Sequence, residues 1–234
     1  MIELISDFVV NYNASDIPKN ALEVAKNCFL DCLGVSLAGV QQDESQIITE
    51  VVRSWSGETE SGVILSNFKC PSPFAALANG TIAHALDFDD ISTTFLAHPS
   101  VNLIPPILAL AESHNISGRD ALTAYVIGYE VCANLGAMMG VRFFSRNWHA
   151  TSLLGCIAAA VVSSRILRLN VKQTRMAIGI ASSLAAGLKI NFGTMTKPLH
   201  IGNACQTGIL AALLAGNGFN ANESALEGSS GLHP

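Results

Sequence analysis

Charge is scarce in this sequence of 234 residues: 13% are Asp, Glu, Lys or Arg, while 50% are hydrophobic. About a quarter charged is usual for a globular chain, so much of this one is destined for a core or a subunit interface. No run of Lys or Arg could follow a phosphate backbone, and the formal net charge is −5 with a pI near 5.6. A nucleic-acid partner is therefore not expected. Lipid-spanning blocks are also missing, despite a mean hydropathy of +0.39. The uncharged stretch 198–222 contains His200, Asn203, Gln206, Asn217 and several glycines. That pattern reads as packed helix in a soluble core, not as a membrane span. Met1-Ile2-Glu3-Leu4 has no basic region, so no signal peptide is expected.

No CxxC pair, Walker loop, GxGxxG fingerprint or nucleophile elbow occurs. Six cysteines stand singly at 28, 32, 70, 132, 156 and 205. Cys28 and Cys32 share a helical i, i+4 spacing, but no second Cys or His pair accompanies them. Buried free thiols in a reducing cytoplasm are the expectation. The βαβ alternation of a nucleotide-binding sheet is absent as well.

What is present is helix after helix, and the expected fold class is all-α. Asp16-Ile17-Pro18 reads as a capping residue before a helix-starting proline. Ala21, Leu22, Val24, Ala25, Phe29, Leu33 and Val35 then supply an apolar face. Further helices are expected near 44–55, 98–115, 117–140, 148–167, 171–188 and 199–214. Another opens at Ser72 and carries Asn79, His84 and Asp87 toward its C-terminal part. Val63-Ile64-Leu65 is a candidate isolated strand. Ala, Ser and Gly on successive helices predict closely approaching axes. No repeat or flexible linker divides residues 1–234.

Against this apolar background, titratable groups stand out, because burying them is costly unless they are paired or used. His84, Asp87, Asp89, Asp90 and His98 fall within one short segment. At i, i+3 on a helix, Asp87 can touch His84 and orient its ring. Asp89 and Asp90 together are a weak signal for a divalent cation; fixing local loop geometry is the simpler role, and no metal is expected. His98 precedes Pro99, which places it in extended backbone at the mouth of the next helix, where anions are favoured. His149 also stands at a helix start, with Arg142 and Arg146 just upstream, a combination suited to a carboxylate ligand. Lys197 is the only charged residue between Lys189 and Glu223. With Asn191, Thr194, Thr196 and His200 around it, it can meet an anion or move a proton.

These motifs, in order, resemble the MmgE/PrpD family: Asn79-Gly80-Thr81 through His84-Ala85-Leu86-Asp87-Phe88-Asp89-Asp90, His98-Pro99-Ser100, Gly128-Tyr129-Glu130, Trp148-His149-Ala150-Thr151, Asn191 through His200, and Ala225-Leu226-Glu227-Gly228. Members include 2-methylcitrate dehydratase, cis-aconitate decarboxylase and iminodisuccinate epimerase. The resemblance implies a large helical domain with a smaller α+β lid, a homodimer, and cofactor-free, metal-independent proton transfer on di- or tricarboxylates. Matched position by position, Asp87, His98, His149 and Lys197 fall on its active-site positions. His84, Arg146, Thr194 and His200 are expected to help bind substrate. Ile91 stands where many relatives have threonine, and the sequence stops where the lid is expected to begin. The expected function is therefore elimination of water from a citrate-like acid. Decarboxylation and epimerisation are alternatives that pass through a similar carbanion-like species. An inactive, truncated dimerisation module is the alternative of a different class.

Overall fold

The computed structural model describes residues 1–55 and 57–232; Ser56, His233 and Pro234 lie outside the described residues. Among the described residues are nine α-helices and one two-residue antiparallel ladder, in agreement with an all-α fold. In chain order the helices are α1 (Ile2–Asn11), α2 (Lys19–Gly39), α3 (Asp43–Ser54), α4 (Ser72–His84), α5 (Ser100–Ser113), α6 (Gly118–Ser145), α7 (Ala150–Ile166), α8 (Val171–Leu184) and α9 (Thr196–Gly216).

The centre is built from α4, α7 and α9, with α9 lying along both of the others. These helices are apolar nearly all round and are buried accordingly. Small residues set how close the axes come. A Cβ on Gly202 would lie 2.2 Å from the Leu77 carbonyl oxygen, and one on Gly208 would lie 2.4 Å from Ala159 Cβ. No larger residue fits at either crossing without moving backbone. Around this centre α5 and α6 pack on α7, α2 and α3 pack on α4, and α1 and α8 cover the remaining flank. By length and composition α6 and α9 could each cross a membrane, but 56% and 61% of their most apolar stretches are buried inside the domain.

Several local expectations need correction. Asp16 closes a 3-10 turn and does not cap α2, whose N-cap is Pro18. Val63-Ile64-Leu65 is not a strand. The ladder forms on either side of it, pairing Ser61 with Cys70 and Gly62 with Lys69, while Leu65 turns through a left-handed conformation at φ 53°. Helix α1 is not among the expected helices, although Ile2 and Val9 give it a buried apolar face. It is held by tertiary contacts: Arg165 donates to the carbonyls of Val9, Val10 and Tyr12, satisfying the otherwise unpaired C-terminal end. Helix α4 stops at His84, so Asp87 lies beyond it. All six cysteines are free.

Candidate functional site

The site forms where three chain segments meet: the loop after α4, the start of α7 and the start of α9. Helix α4 delivers His84 at its last residue, with the side chain fully enclosed. The chain then turns through Asp87 at φ 52°, a left-handed conformation uncommon outside glycine and asparagine. The turn brings the Asp87 carboxylate back over the helix end. Its Oδ1 lies 3.8 Å from His84 Nε2 and 3.6 Å from His98 Nε2, and its Oδ2 pairs directly with Lys197 Nζ. The loop is anchored by Phe95, which is fully buried, with Gly136 on α6 pressed against its backbone.

The adjacent aspartates do different things. Asp90 accepts from the backbone N–H of Ser100 at 3.2 Å and from its hydroxyl at 2.6 Å, holding the first turn of α5; that hydroxyl also lies 2.8 Å from Tyr125 Oη. Burial pushes the Asp90 carboxyl up, against the hydrogen bonds from Ser100. Asp89 instead faces two imidazoles. His84 Nδ1 lies 2.9 and 3.0 Å from its two oxygens, and His98 Nδ1 lies 3.1 Å from Oδ2. Burial works to raise the Asp89 pKa, but hydrogen bonds from His84 and His98 and their charges outweigh it, holding the carboxyl well below the usual carboxylate range. His98 is raised above the ordinary imidazole value: burial opposes its cation, and the hydrogen bond to Asp89 with the charges of Asp89 and Asp87 more than compensates.

His149 is the N-cap of α7 and is buried. Its backbone N–H donates to the Gly187 carbonyl at 2.9 Å, which ties the start of α7 to the segment between α8 and α9. Its ring stacks 5.9 Å from His84, and its Nδ1 lies 3.2 Å from Nδ1 of His200. Burial pushes His149 down to about 2, and a proton on it would also be repelled by Lys197 and by any charge on His84 or His200. His200 is lowered too, by burial and by His84. Both therefore stay neutral through the physiological range, so one Nδ1 donates and the other accepts.

His84, Asp87, His98, His149, Lys197 and His200 are thus brought together, although they come from three distant segments. Two other expected residues make no side-chain contact with the cluster, although the Thr194 carbonyl accepts from the Lys197 backbone N–H at 3.0 Å. Arg146 is exposed at the C-cap of α6, with no ion pair or hydrogen bond to the cluster. Thr194 is exposed and spends its hydroxyl on its own turn, donating to the Asn191 carbonyl and accepting from the Thr196 N–H. The residue that sequence reasoning passed over is Asp89, dismissed as a loop carboxylate. Its strict neighbour Asp90 fills that role instead.

The spacing argument against metal ligands also needs revision, since donor atoms of His84, Asp87, Asp89 and His98 lie within 4.8 Å of one another. Several of these donors are already engaged: both Nδ1 atoms face Asp89, and the Lys197 ammonium sits on Asp87. The cluster as folded is a proton and ion-pair network. Its open side is marked by Asp87, whose side chain is 54% exposed, and by the exposed apolar residues Phe88 and Ile91 on the same loop.

A family profile described as the MmgE/PrpD N-terminal domain matches residues 3–233. Among curated proteins, cis-aconitate decarboxylase of Mus musculus is 34% identical over 214 residues, covering 89% of this chain and 44% of that protein. The Homo sapiens cis-aconitate decarboxylase is 33% identical, covering 90% and 45%. A probable 2-methylcitrate dehydratase of Saccharomyces cerevisiae is 28% identical over 175 residues, covering 69% and 33%. The chain spans less than half the length of these relatives.

Proposed function

The chain belongs to the MmgE/PrpD family, and from that premise we propose that it forms the helical part of a lyase acting on a tricarboxylate, most closely a cis-aconitate decarboxylase. The observation that carries the reading is the cluster at the start of α9: Lys197 paired with Asp87, beside His98, with neutral His149 and His200 behind. The decarboxylases support that activity over dehydration. They match at 33–34% identity over about nine-tenths of the chain, whereas the dehydratase matches at 28% over 69%. Dehydration, the reaction first expected from the sequence, is the second reading, because the cationic His98 is equally suited to protonate a leaving hydroxide.

In the proposed reaction the bond between carbon and a departing carboxylate breaks, and carbon dioxide leaves. The electron pair remains on carbon, delocalised toward a conjugated carboxylate. Lys197 holds a substrate carboxylate and balances the developing charge. His98, whose cation is favoured by Asp89 and Asp87, delivers a proton from Nε2 to carbon. Asp87 keeps the Lys197 ammonium in place until substrate arrives. His149 and His200 contribute neutral polar walls without adding positive charge that would overbind the ground state.

The homodimer is likewise a proposal, supported by exposed apolar residues on the outer faces of α2 and α3: Val24, Leu30, Leu37 and Ile47. The free cysteines fit a cytoplasmic location. The test is a thermal-shift and calorimetric comparison of cis-aconitate, 2-methylcitrate, citrate and iminodisuccinate, since a ligand selective for the folded state raises its stability. The expected result is preferential stabilisation by cis-aconitate. Preference for 2-methylcitrate would move the assignment to dehydration, and indifference to all four would overturn the lyase reading.

A further inference from the structure

We propose that Asp89 is a positioning residue that serves two histidines at once, fixing the same tautomer on His84 and His98 and leaving Nε2 as the free nitrogen of each neutral ring. The proposal rests on the lyase reading for its use in catalysis, but the geometry behind it does not.

The side chain of Asp89 has no exposed surface. A buried carboxylate must find donors or lose its charge. Its neighbour Asp90 shows what a purely structural aspartate does here: it accepts from the N–H and hydroxyl of Ser100 and caps a helix. Asp89 takes its side-chain contacts from imidazoles: His84 Nδ1 at 2.9 and 3.0 Å and His98 Nδ1 at 3.1 Å. Every atom that these two nitrogens face is an acceptor. For His84 they are the two carboxylate oxygens. For His98 they are Oδ2 and the Asp89 carbonyl oxygen, 3.3 Å away. An imidazole nitrogen facing only acceptors carries the hydrogen. Both rings are therefore Nδ1–H, and in each neutral ring Nε2 is the nitrogen left for chemistry.

The two Nε2 atoms then differ in setting. That of His84 is buried and has no hydrogen-bond partner, an orphaned acceptor in a molecule that satisfies nearly all others. That of His98 lies 3.6 Å from Asp87 Oδ1, and a second acceptor there favours the His98 cation. The groups facing His98 are Asp87 and Asp89 from its own loop, His84 from α4 and Lys197 from α9. The two carboxylates outweigh the lysine, and His98 is raised. The structure thus gives His98 a transferable proton at Nε2 beside Asp87 and holds the His84 ring behind it, with its Nε2 enclosed.

The test is nitrogen-15 correlation spectroscopy of the imidazoles across pH, on the wild-type chain and on Asp89→Asn. In the wild type, His84 and neutral His98 should show the Nδ1–H pattern, with His98 titrating above the ordinary imidazole value. An Nε2–H pattern on both rings would overturn the proposal whatever the protein's activity. In Asp89→Asn the apparent His98 pKa should fall by at least tenfold in proton affinity, while His149 stays neutral. An unmoved His98 would also overturn it. If that variant does not fold, the wild-type tautomers decide the question. In an active form of the enzyme, Asp89→Asn should lower kcat with little change in KM and displace the basic limb of the pH profile to lower pH. Failure of cis-aconitate binding with the expected tautomers intact would count against the lyase reading alone.

Discussion

The Lys197 ammonium rests directly on the Asp87 carboxylate, joining the first turn of α9 to the left-handed turn that ends α4. A tricarboxylate entering the site competes with Asp87 for that ammonium. Lys197→Met should therefore weaken cis-aconitate binding by tenfold or more, equivalent to at least about 1.4 kcal/mol. The fold should be little affected, because a pair with one half-exposed partner is worth only about 0–1 kcal/mol. Lys197→Arg should not restore binding, since a planar fork cannot replace a compact point charge in this space. Calorimetric titration checks both, and unchanged affinity in Lys197→Met would remove this residue from the site.

Acid should destabilise the domain through His149. In the folded state it resists protonation down to about 2, against an ordinary value of 6.5. The unfolded chain binds that proton first, so this contribution is lost as pH falls below 6.5. His200, also lowered, acts in the same direction, whereas the raised His98 acts oppositely: its contribution is full below 6.5 and is lost as pH rises from there through its folded value. Asp89, held low, gives stability that is full at neutral pH and is lost progressively as pH falls from the ordinary carboxylate value of 3.8 toward its depressed one. Comparing His149→Gln with the wild type isolates one group. Between pH 6.5 and 5 the wild type should lose up to about 2 kcal/mol more than the variant, at roughly 1.4 kcal/mol per pH unit. Urea unfolding at the two pH values measures this, and parallel losses would contradict the neutral assignment.

Gly202→Ala should be a severe core substitution. The new methyl would meet the Leu77 carbonyl oxygen at 2.2 Å, and a backbone atom inside a helix cannot swing aside. Overpacking of this kind costs about 1–3 kcal/mol. The separation of α4 from α9 should also displace Lys197 relative to Asp87. Thermal unfolding should show a clear drop in Tm, and an unchanged Tm would mean that the helices are less closely packed than the structure shows.

Chelation should leave tricarboxylate binding unchanged. His84, Asp87, Asp89 and His98 have donor atoms close enough for a cation, but their hydrogen bonds to one another and the Lys197 ammonium already fill that role. Affinity measured before and after treatment with a chelator, alongside elemental analysis, checks this. A stoichiometric metal bound at these residues would reverse the conclusion.

The 234-residue chain alone should turn over slowly. With Asp87 54% exposed, water reaches the ion pair on which charge stabilisation depends. The apolar rim around it should also favour self-association. Light scattering should report a dimer or larger species, and turnover of cis-aconitate should be weak. A monodisperse monomer working at an ordinary rate of about 10 s⁻¹ would show that the site needs no further covering.

Which residues would gather was legible from scarcity. In a chain with so little charge, His84, Asp87, His98, His149 and Lys197 had to be either paired or used, and they are the residues the fold brings together. Arg146 and Thr194 were chosen by proximity in sequence to His149 and Lys197. Neither side chain touches the cluster, because Arg146 sits exposed at a helix end and the Thr194 hydroxyl bonds within its own turn. Asp89 and Asp90 could not be told apart, since adjacent aspartates look alike until one finds a helix N-terminus and the other finds two rings.

The sequence by itself determined the helices other than α1, because hydrophobic periodicity and the supply of Ala, Gly and Ser act locally and set both burial and close approach. It also marked the reactive segments, because isolated polar groups stand out against apolar surroundings. Only the tertiary structure decided the chemistry. The pairing of Lys197 with Asp87, the sharing of Asp89 between two imidazoles, and the opposite shifts of His98 and His149 arise between segments distant in the chain. Those energies depend on distance and burial, which no spacing along a sequence contains.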